Sequence, residues 1–120
     1  MTTDDIIRKA LDDGDLLVDS KRGRIYRPAT ARSGVLKEIS YEVNPKGYLR
    51  FSFVKDGKRS HFRVNRVVFI AVHRYIPDGY HIDHINGNKR DNRIENLRPL
   101  TNAENNRIAA ERRRLLKKVV

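Results

Sequence analysis

Apolar residues recur along this chain at two spacings, one helical and one strand-like, and the change from one to the other marks its elements. Near the start, Ile6, Ile7, Ala10 and Leu11 follow Thr3-Asp4-Asp5 at helical intervals, which predicts a short N-capped helix ending at Gly14. Its acidic first turn suits the helix dipole. Leu16-Leu17-Val18 and Gly23-Arg24-Ile25-Tyr26 read as strands separated by a basic turn. Residues 27–34 have no period and read as a loop. Three more strands are predicted at 37–43, 48–54 and 59–64, joined by Asn44-Pro45-Lys46-Gly47 and Lys55-Asp56-Gly57-Lys58. The Asp-Gly pair is a strong hairpin signal. In the middle strand Leu49, Phe51 and Phe53 alternate with Tyr48, Arg50, Ser52 and Val54, giving one apolar and one mixed face. Helical spacing returns over 64–74 through Val67, Val68, Ala71 and Val72, and Pro77-Asp78-Gly79 breaks it.

The last third repeats the change on a smaller scale. Residues 82–85 read as a short strand entering the turn Asn86-Gly87-Asn88. Residues 97–100 can return as a second strand, where Pro99 fits only an edge or an irregular strand. Thr101-Asn102-Ala103-Glu104 matches a capping box, which sets the start of a final helix. Asn105 then lies in its first turn and a half. Asn105, Ile108, Ala109, Arg112 and Leu116 share one stripe, so Asn105 is expected to point with the apolar face. An inward carboxamide needs a partner, and a metal ion is one candidate.

Composition narrows the class. With 38% hydrophobic and 34% charged residues, the 120-residue chain has material for one small core and little for a second. A net charge of +11 implies a polyanionic partner. Asp4, Asp5, Asp12, Asp13 and Asp15 crowd the start, so the remainder is more basic still. The lack of cysteine removes disulfides and thiolate zinc sites, and is compatible with the cytoplasmic location expected here. No run approaches the roughly 18 apolar residues of a membrane span, and the acidic start is not a signal peptide, so no membrane partner is expected.

The candidate chemistry lies at Asp83-His84. Neighbours on a regular strand point to opposite faces. The pair can serve one site if the strand ends or twists there, as Gly87 permits. Asp83 and Asn105 offer hard oxygen donors, a poor set for zinc but suited to Mg²⁺ or Mn²⁺ completed by water and phosphate oxygens. Such an ion stabilises charge on a scissile phosphate as a Lewis acid. An imidazole, with an ordinary pKa of about 6.5, can take a proton from water at neutral pH, and His84 is placed for that role. The competing readings are a core-bonded His84, a turn-capping Asp83 and a surface amide at Asn105. His73 and His81 are expected to be phosphate contacts or partly buried filler rather than ligands. Lys89, Arg90 and Arg93 on the intervening loop are candidate DNA contacts. So are Arg107 and Arg114, which share a face of a final helix that also carries Arg112, Arg113, Lys117 and Lys118; the plain alternative for that run is a solvated surface.

Taken together, Asp83-His84-Ile85-Asn86-Gly87-Asn88, Asn92, Glu95-Asn96-Leu97-Arg98 and Asn105 resemble the HNH, or ββα-metal, endonucleases. The resemblance is to the branch found in phage and intron homing endonucleases, in which the third signature residue is often Asn, and it covers roughly residues 73–107. It implies His84 as general base, Asp83 and Asn105 as ligands of one Mg²⁺ or Mn²⁺ with no structural zinc, and Asn96 as the residue that braces the loop and helps orient the His. Asn65-Arg66 stands where a His-Arg pair is more usual. The expected fold is α+β: a small N-terminal antiparallel sheet with flanking helices over 1–76, a ββα-metal motif over 77–110 and a basic helical extension over 111–120. The expected activity is hydrolysis of double-stranded DNA, with a monomer favoured and therefore one strand nicked per event. Two rivals remain: a DNA- or RNA-binding module that keeps the fold without activity, and a structural component of a basic ribonucleoprotein.

Overall fold

The computed structural model describes residues 1–119, with helix α1 at Thr3–Asp12. Its cap is Thr2, one residue before the Thr3-Asp4-Asp5 run. The Thr2 hydroxyl accepts from the Asp5 amide at 3.1 Å, and the Asp5 carboxylate accepts from the Thr2 amide at 2.9 Å. The Thr2 amide first, then Arg8 and the Thr2 side chain, hold the Asp5 carboxyl down at about 2.

Strands β1 (Leu17–Asp19), β2 (Arg24–Arg27) and β3 (Lys37–Glu38) form one antiparallel sheet; β4 (Glu42–Val43), β5 (Leu49–Lys55) and β6 (Lys58–Arg63) form another. The strand expected over 37–43 is therefore two strands in two sheets. Lys37 pairs with Arg27, whereas Val43 pairs with Leu49. The division comes from Ile25, whose backbone receives both halves of the crossing. Its carbonyl accepts from the Ile39 amide at 3.0 Å, and its amide donates to the Tyr41 hydroxyl at 2.9 Å. Burial pushes that hydroxyl's pKa up to about 12. Between β5 and β6 the two-residue turn holds Asp56 at φ +52° and Gly57 at φ +76°, the left-handed pair that a tight hairpin requires.

Helix α2 (Val64–His73) is the centre of the core. Val64, Val67, Val68 and Ile70 are fully buried, in one cluster with Ile7, Ile25, Phe51, Phe62, Ile82 and Leu97. Phe51 and Phe62 face each other across β5–β6 with rings edge-on at 5.7 Å, and Phe53 stacks on Phe62 at 5.4 Å. A two-pronged Arg66–Asp4 pair ties α2 to α1.

The third sheet is the hairpin β7 (Tyr80–His84) and β8 (Leu97–Thr101), with a 3-10 turn at Ile94–Asn96 leading into β8. Both strands are edges, so Pro99 is accommodated opposite Ile82. Thr101 and Glu104 form the expected box, each backbone amide bonded to the other's side chain at 3.2 Å, and α3 (Asn102–Val119) follows without a break. Asn105, Ile108 and Arg112 are half-buried, but Ala109 and Leu116 on the same expected stripe are exposed. An 18-residue helix is ~27 Å long, and a five-residue strand is ~17 Å. The end of α3 therefore runs past the sheet that would cover it. Among the described residues, no helix is long and apolar enough to cross a membrane.

The turn of the first sheet bears on the loop of the last hairpin. The Ser20 carbonyl, in the β1–β2 turn, accepts from the Ile94 amide at 2.9 Å. Gly23 (φ +69°) presses so closely on the loop that an added Cβ would lie 2.3 Å from the Asn92 carbonyl carbon. Gly23→Ala is therefore expected to lower stability by at least about 2 kcal/mol, from backbone strain plus a clash with backbone atoms that cannot swing away. Urea unfolding followed by circular dichroism measures it.

Candidate active site and nucleic-acid interface

Strand β7 is fixed from behind by Asn65. This buried amide, in an otherwise apolar helix face, donates to the Ile82 carbonyl at 2.9 Å while its oxygen accepts from the Arg66 amide at 2.9 Å. Sequence reading registered Asn65 only as an unusual residue. A polar side chain on the apolar period of α2 was the available signal that it had a structural task.

The strand ends at His84, and the side chains of Asp83 and His84 find different partners. Asp83 is 8% exposed and stands opposite Arg98. Its Oδ2 accepts from Arg98 Nε at 3.1 Å and its Oδ1 from Arg112 Nη1 at 3.5 Å. Arg112 also donates to the His84 carbonyl at 3.3 Å, so one guanidinium from α3 spans both residues. Asn105 lies two turns earlier on the half-buried side of α3, and its carboxamide makes no side-chain hydrogen bond among the described residues.

The imidazole of His84 is 3% exposed. Its Nε2 lies 2.8 Å from Asn92 Oδ1. A carboxamide oxygen only accepts, so Nε2 carries the proton and Nδ1 the lone pair. Nδ1 makes no hydrogen bond among the described residues, so its lone pair is free to accept a proton from water, as a general base requires.

Asn96 closes the loop. Its Oδ1 accepts from the Asn86 amide at 3.0 Å; its Nδ2 donates to Asn86 Oδ1 at 3.0 Å and to the Asp91 carbonyl at 2.9 Å. Its own carbonyl accepts from the Ile85 amide at 2.8 Å. The direct hold on the imidazole comes from Asn92, which the sequence marks only as one residue of the family resemblance. Eight positions beyond His84, Asn92 has no local pattern that announces the contact.

The basic candidates separate by partner. Arg93 is engaged within its own loop by Asp91 at 2.8 Å and Glu95 at 2.5 Å. Its hydrogen bond is the chief reason that the Asp91 carboxyl is held at about 2. Arg90 is exposed, and so are Arg107 and Arg114, which flank Ala110 and Glu111 on one side of α3. Lys89 donates to the Lys46 carbonyl at 2.6 Å and sits 4.7 Å from the Tyr48 ring. His81 bonds the Asn102 side chain at the start of α3, and His73 rests on Phe69 with rings 4.5 Å apart. Among the described residues no three of His, Cys, Asp or Glu gather as a metal cluster. The oxygens expected to hold an ion are those of Asp83, both of which accept from guanidinium groups here, and of Asn105; as hard donors they suit a divalent cation such as Mg²⁺.

Comparison with known proteins matches this arrangement to one family. The HNH endonuclease family pattern covers residues 62–107, from the end of β6 through the first turns of α3. The DNA endonuclease I-HmuI of Bacillus phage SP01 is 35% identical over 89 residues, which are 72% of this chain and 48% of that protein. An "uncharacterized gene 5.3 protein" of Enterobacteria phage T3 is 32% identical over 88 residues, 72% of this chain and 87% of that one. A solved structure of the HNH homing endonuclease I-HmuI, described for DNA binding and cleavage, superposes with a TM-score of 0.68 at 31% identity, covering 82% of this chain and 53% of that one. The chain belongs to the HNH endonuclease family and is related to the phage homing endonuclease I-HmuI. It spans about half the length of I-HmuI.

Two measurements test the local electrostatics. In ¹⁵N spectra of the neutral imidazole, His84 should show a protonated Nε2 and a bare Nδ1; Asn92→Leu, which removes the acceptor at similar volume, should give a mixture of tautomers. The low pKa of Asp91 means that its ionised form stabilises the folded state. That contribution is complete above the unfolded carboxylate's ordinary value of about 3.9 and is lost as pH falls through about 2. Asp91→Asn should therefore be less stable than the parent at pH 7, with the gap closing between about pH 4 and pH 2, as urea unfolding at each pH would show.

Proposed function

We propose that this protein is a metal-dependent endonuclease that hydrolyses phosphodiester bonds of double-stranded DNA. The observation that carries the reading is the state of His84. The imidazole ends a strand beside a buried carboxylate, is fixed through Nε2, and keeps Nδ1 bare. In this reading Nδ1 takes the proton from the attacking water, Asn92 holds the ring in the required tautomer, and Asn96 keeps the loop closed so that Asn92 stays in place. HNH endonucleases generally use a divalent metal. Asp83 and Asn105 are the residues that would hold a Mg²⁺ or Mn²⁺ ion, which when bound supplies Lewis-acid stabilisation of the phosphate. Lys89, Arg90, Arg107 and Arg114 supply phosphate contacts, and Arg93 supports the loop that carries Lys89 and Arg90. One chain offers one site, so a monomer nicks one strand per event. A phage or homing-type role in the cytoplasm of a bacterial cell agrees with the phage relatives.

The second reading, binding without cleavage, has one observation in its favour: both oxygens of Asp83 meet guanidinium groups. Supercoiled plasmid separates the two. The expected result is conversion to the nicked form with Mg²⁺ or Mn²⁺, abolished by EDTA and reduced about 10²–10⁴-fold in His84→Ala. Tight binding with no nicking in either metal would establish the binding module instead.

A further inference from the structure

Beside His84 lies a group of side chains of which only Lys89 has a role in the reaction as described. The Tyr48 ring, at the start of the β5–β6 hairpin, is 5.9 Å from the His84 ring. Two cations lie against it: the Arg63 guanidinium at 4.4 Å and Lys89 Nζ at 4.7 Å. They come from separate parts of the chain, Arg63 from the junction of β6 with α2 and Lys89 from the loop after β7. Neither forms an ion pair among the described residues, whereas Arg66, Arg74, Arg93, Arg98 and Arg112 each meet a carboxylate. Lys89 is held in place as well. It lies across Gly47, its Cδ 3.5 Å from where a Cβ would stand, and donates to the Lys46 carbonyl.

Two like charges against one aromatic ring repel each other, and an anion that reaches both from the edge of the ring relieves the repulsion. The ring attracts both cations but neutralises neither. Each therefore keeps free donors: a guanidinium fork suited to two oxygens of one phosphate, and the remaining ammonium protons. Because Tyr48 and the Lys46 carbonyl already restrict these long side chains, little ordering is left for binding to impose. The nearby base fixes which anion enters. We propose that Arg63, Tyr48 and Lys89 form one clamp for a backbone phosphate of the DNA strand lying in the site, next to the phosphate that faces His84. The inference rests on the nuclease reading only for the identity of the polyanion, since the clamp needs binding and not cleavage.

The test is fluorescence anisotropy of a labelled short duplex in EDTA across a salt series, with Lys89→Gln, Arg63→Gln, the double variant, Tyr48→Leu and a control, Lys58→Gln. Lys58 is exposed at the opposite end of the β5–β6 hairpin. The clamp predicts that the slope of log K against log salt becomes shallower by about 0.9 in the double variant, the change for one lost phosphate. The two single effects should not add, because both cations hold the same group. Tyr48→Leu should weaken binding by roughly 2–5-fold with no change in charge, and Lys58→Gln should leave the slope unaltered. Lys89 is an exposed loop residue, so its variant reports even if Arg63→Gln disturbs the fold. Parental affinity and slope in the Lys89 and double variants would overturn the clamp, and so would an equal loss in Lys58→Gln, which would mean that only total charge matters. Parallel plasmid assays keep the two ideas apart. Binding that follows the clamp pattern without nicking upholds the clamp against the nuclease reading; nicking by the parent with unaltered binding in the double variant does the reverse. A parent that does not bind duplex DNA overturns both.

Discussion

A ten-residue helix is too short to persist alone in water, and α2 exists because the rest of the protein closes around it. Val64, Val67, Val68 and Ile70 leave it no dry side free, and α1, both N-terminal sheets and β7 share the contact. Burying a Val or Ile side chain contributes about 1.5–3 kcal/mol each, so this one helix supplies a large share of what holds so small a domain together. Asn65 uses the same helix to hold the strand that carries Asp83 and His84. The position of the site is thus a by-product of how the core is filled.

Charge is divided as plainly as apolar surface. Asp4, Asp5, Asp12, Asp13 and Asp15, which crowd the start of the chain, engage Arg66, Arg8, Arg74, Lys9 and Lys55. Pairs of this kind on a surface contribute little each to stability. Their larger effect is to offset Arg8, Lys9, Lys55, Arg66 and Arg74 around α1, whereas Lys89 and Arg90 in the loop after β7 and Arg107 and Arg114 on α3 meet no carboxylate among the described residues.

Elements whose cause is local were legible in the chain. The Asp56-Gly57 hairpin, the Thr101/Glu104 box and the spacing of Val67 and Val68 each depend on residues within a few positions of one another. Strand 37–43 was misread as one piece because the agent that divides it, the backbone of Ile25, lies far back in the sequence. The candidate site was legible as a set of residue types, and its arrangement was not. Asn92 reaches the imidazole only because the loop folds back on itself, and Arg112 reaches Asp83 only through the register of α3. The engagement of Arg93 by Asp91 and Glu95 was different in kind. Both carboxylates stand two residues away, so that pairing was open to a reading from charge order alone.

The glycine in the first hairpin has a consequence for how this chain can be dissected. Because the Ser20–Gly23 turn bears on the segment that carries Asn92, the imidazole's anchor is assembled from both ends of the polypeptide. A fragment trimmed to the last hairpin and its helix would keep the signature residues but lose the backing of the turn and of Asn65. The motif that identifies the family is thus not a self-sufficient unit here, and grafting it onto another scaffold would require a substitute for each of those two supports.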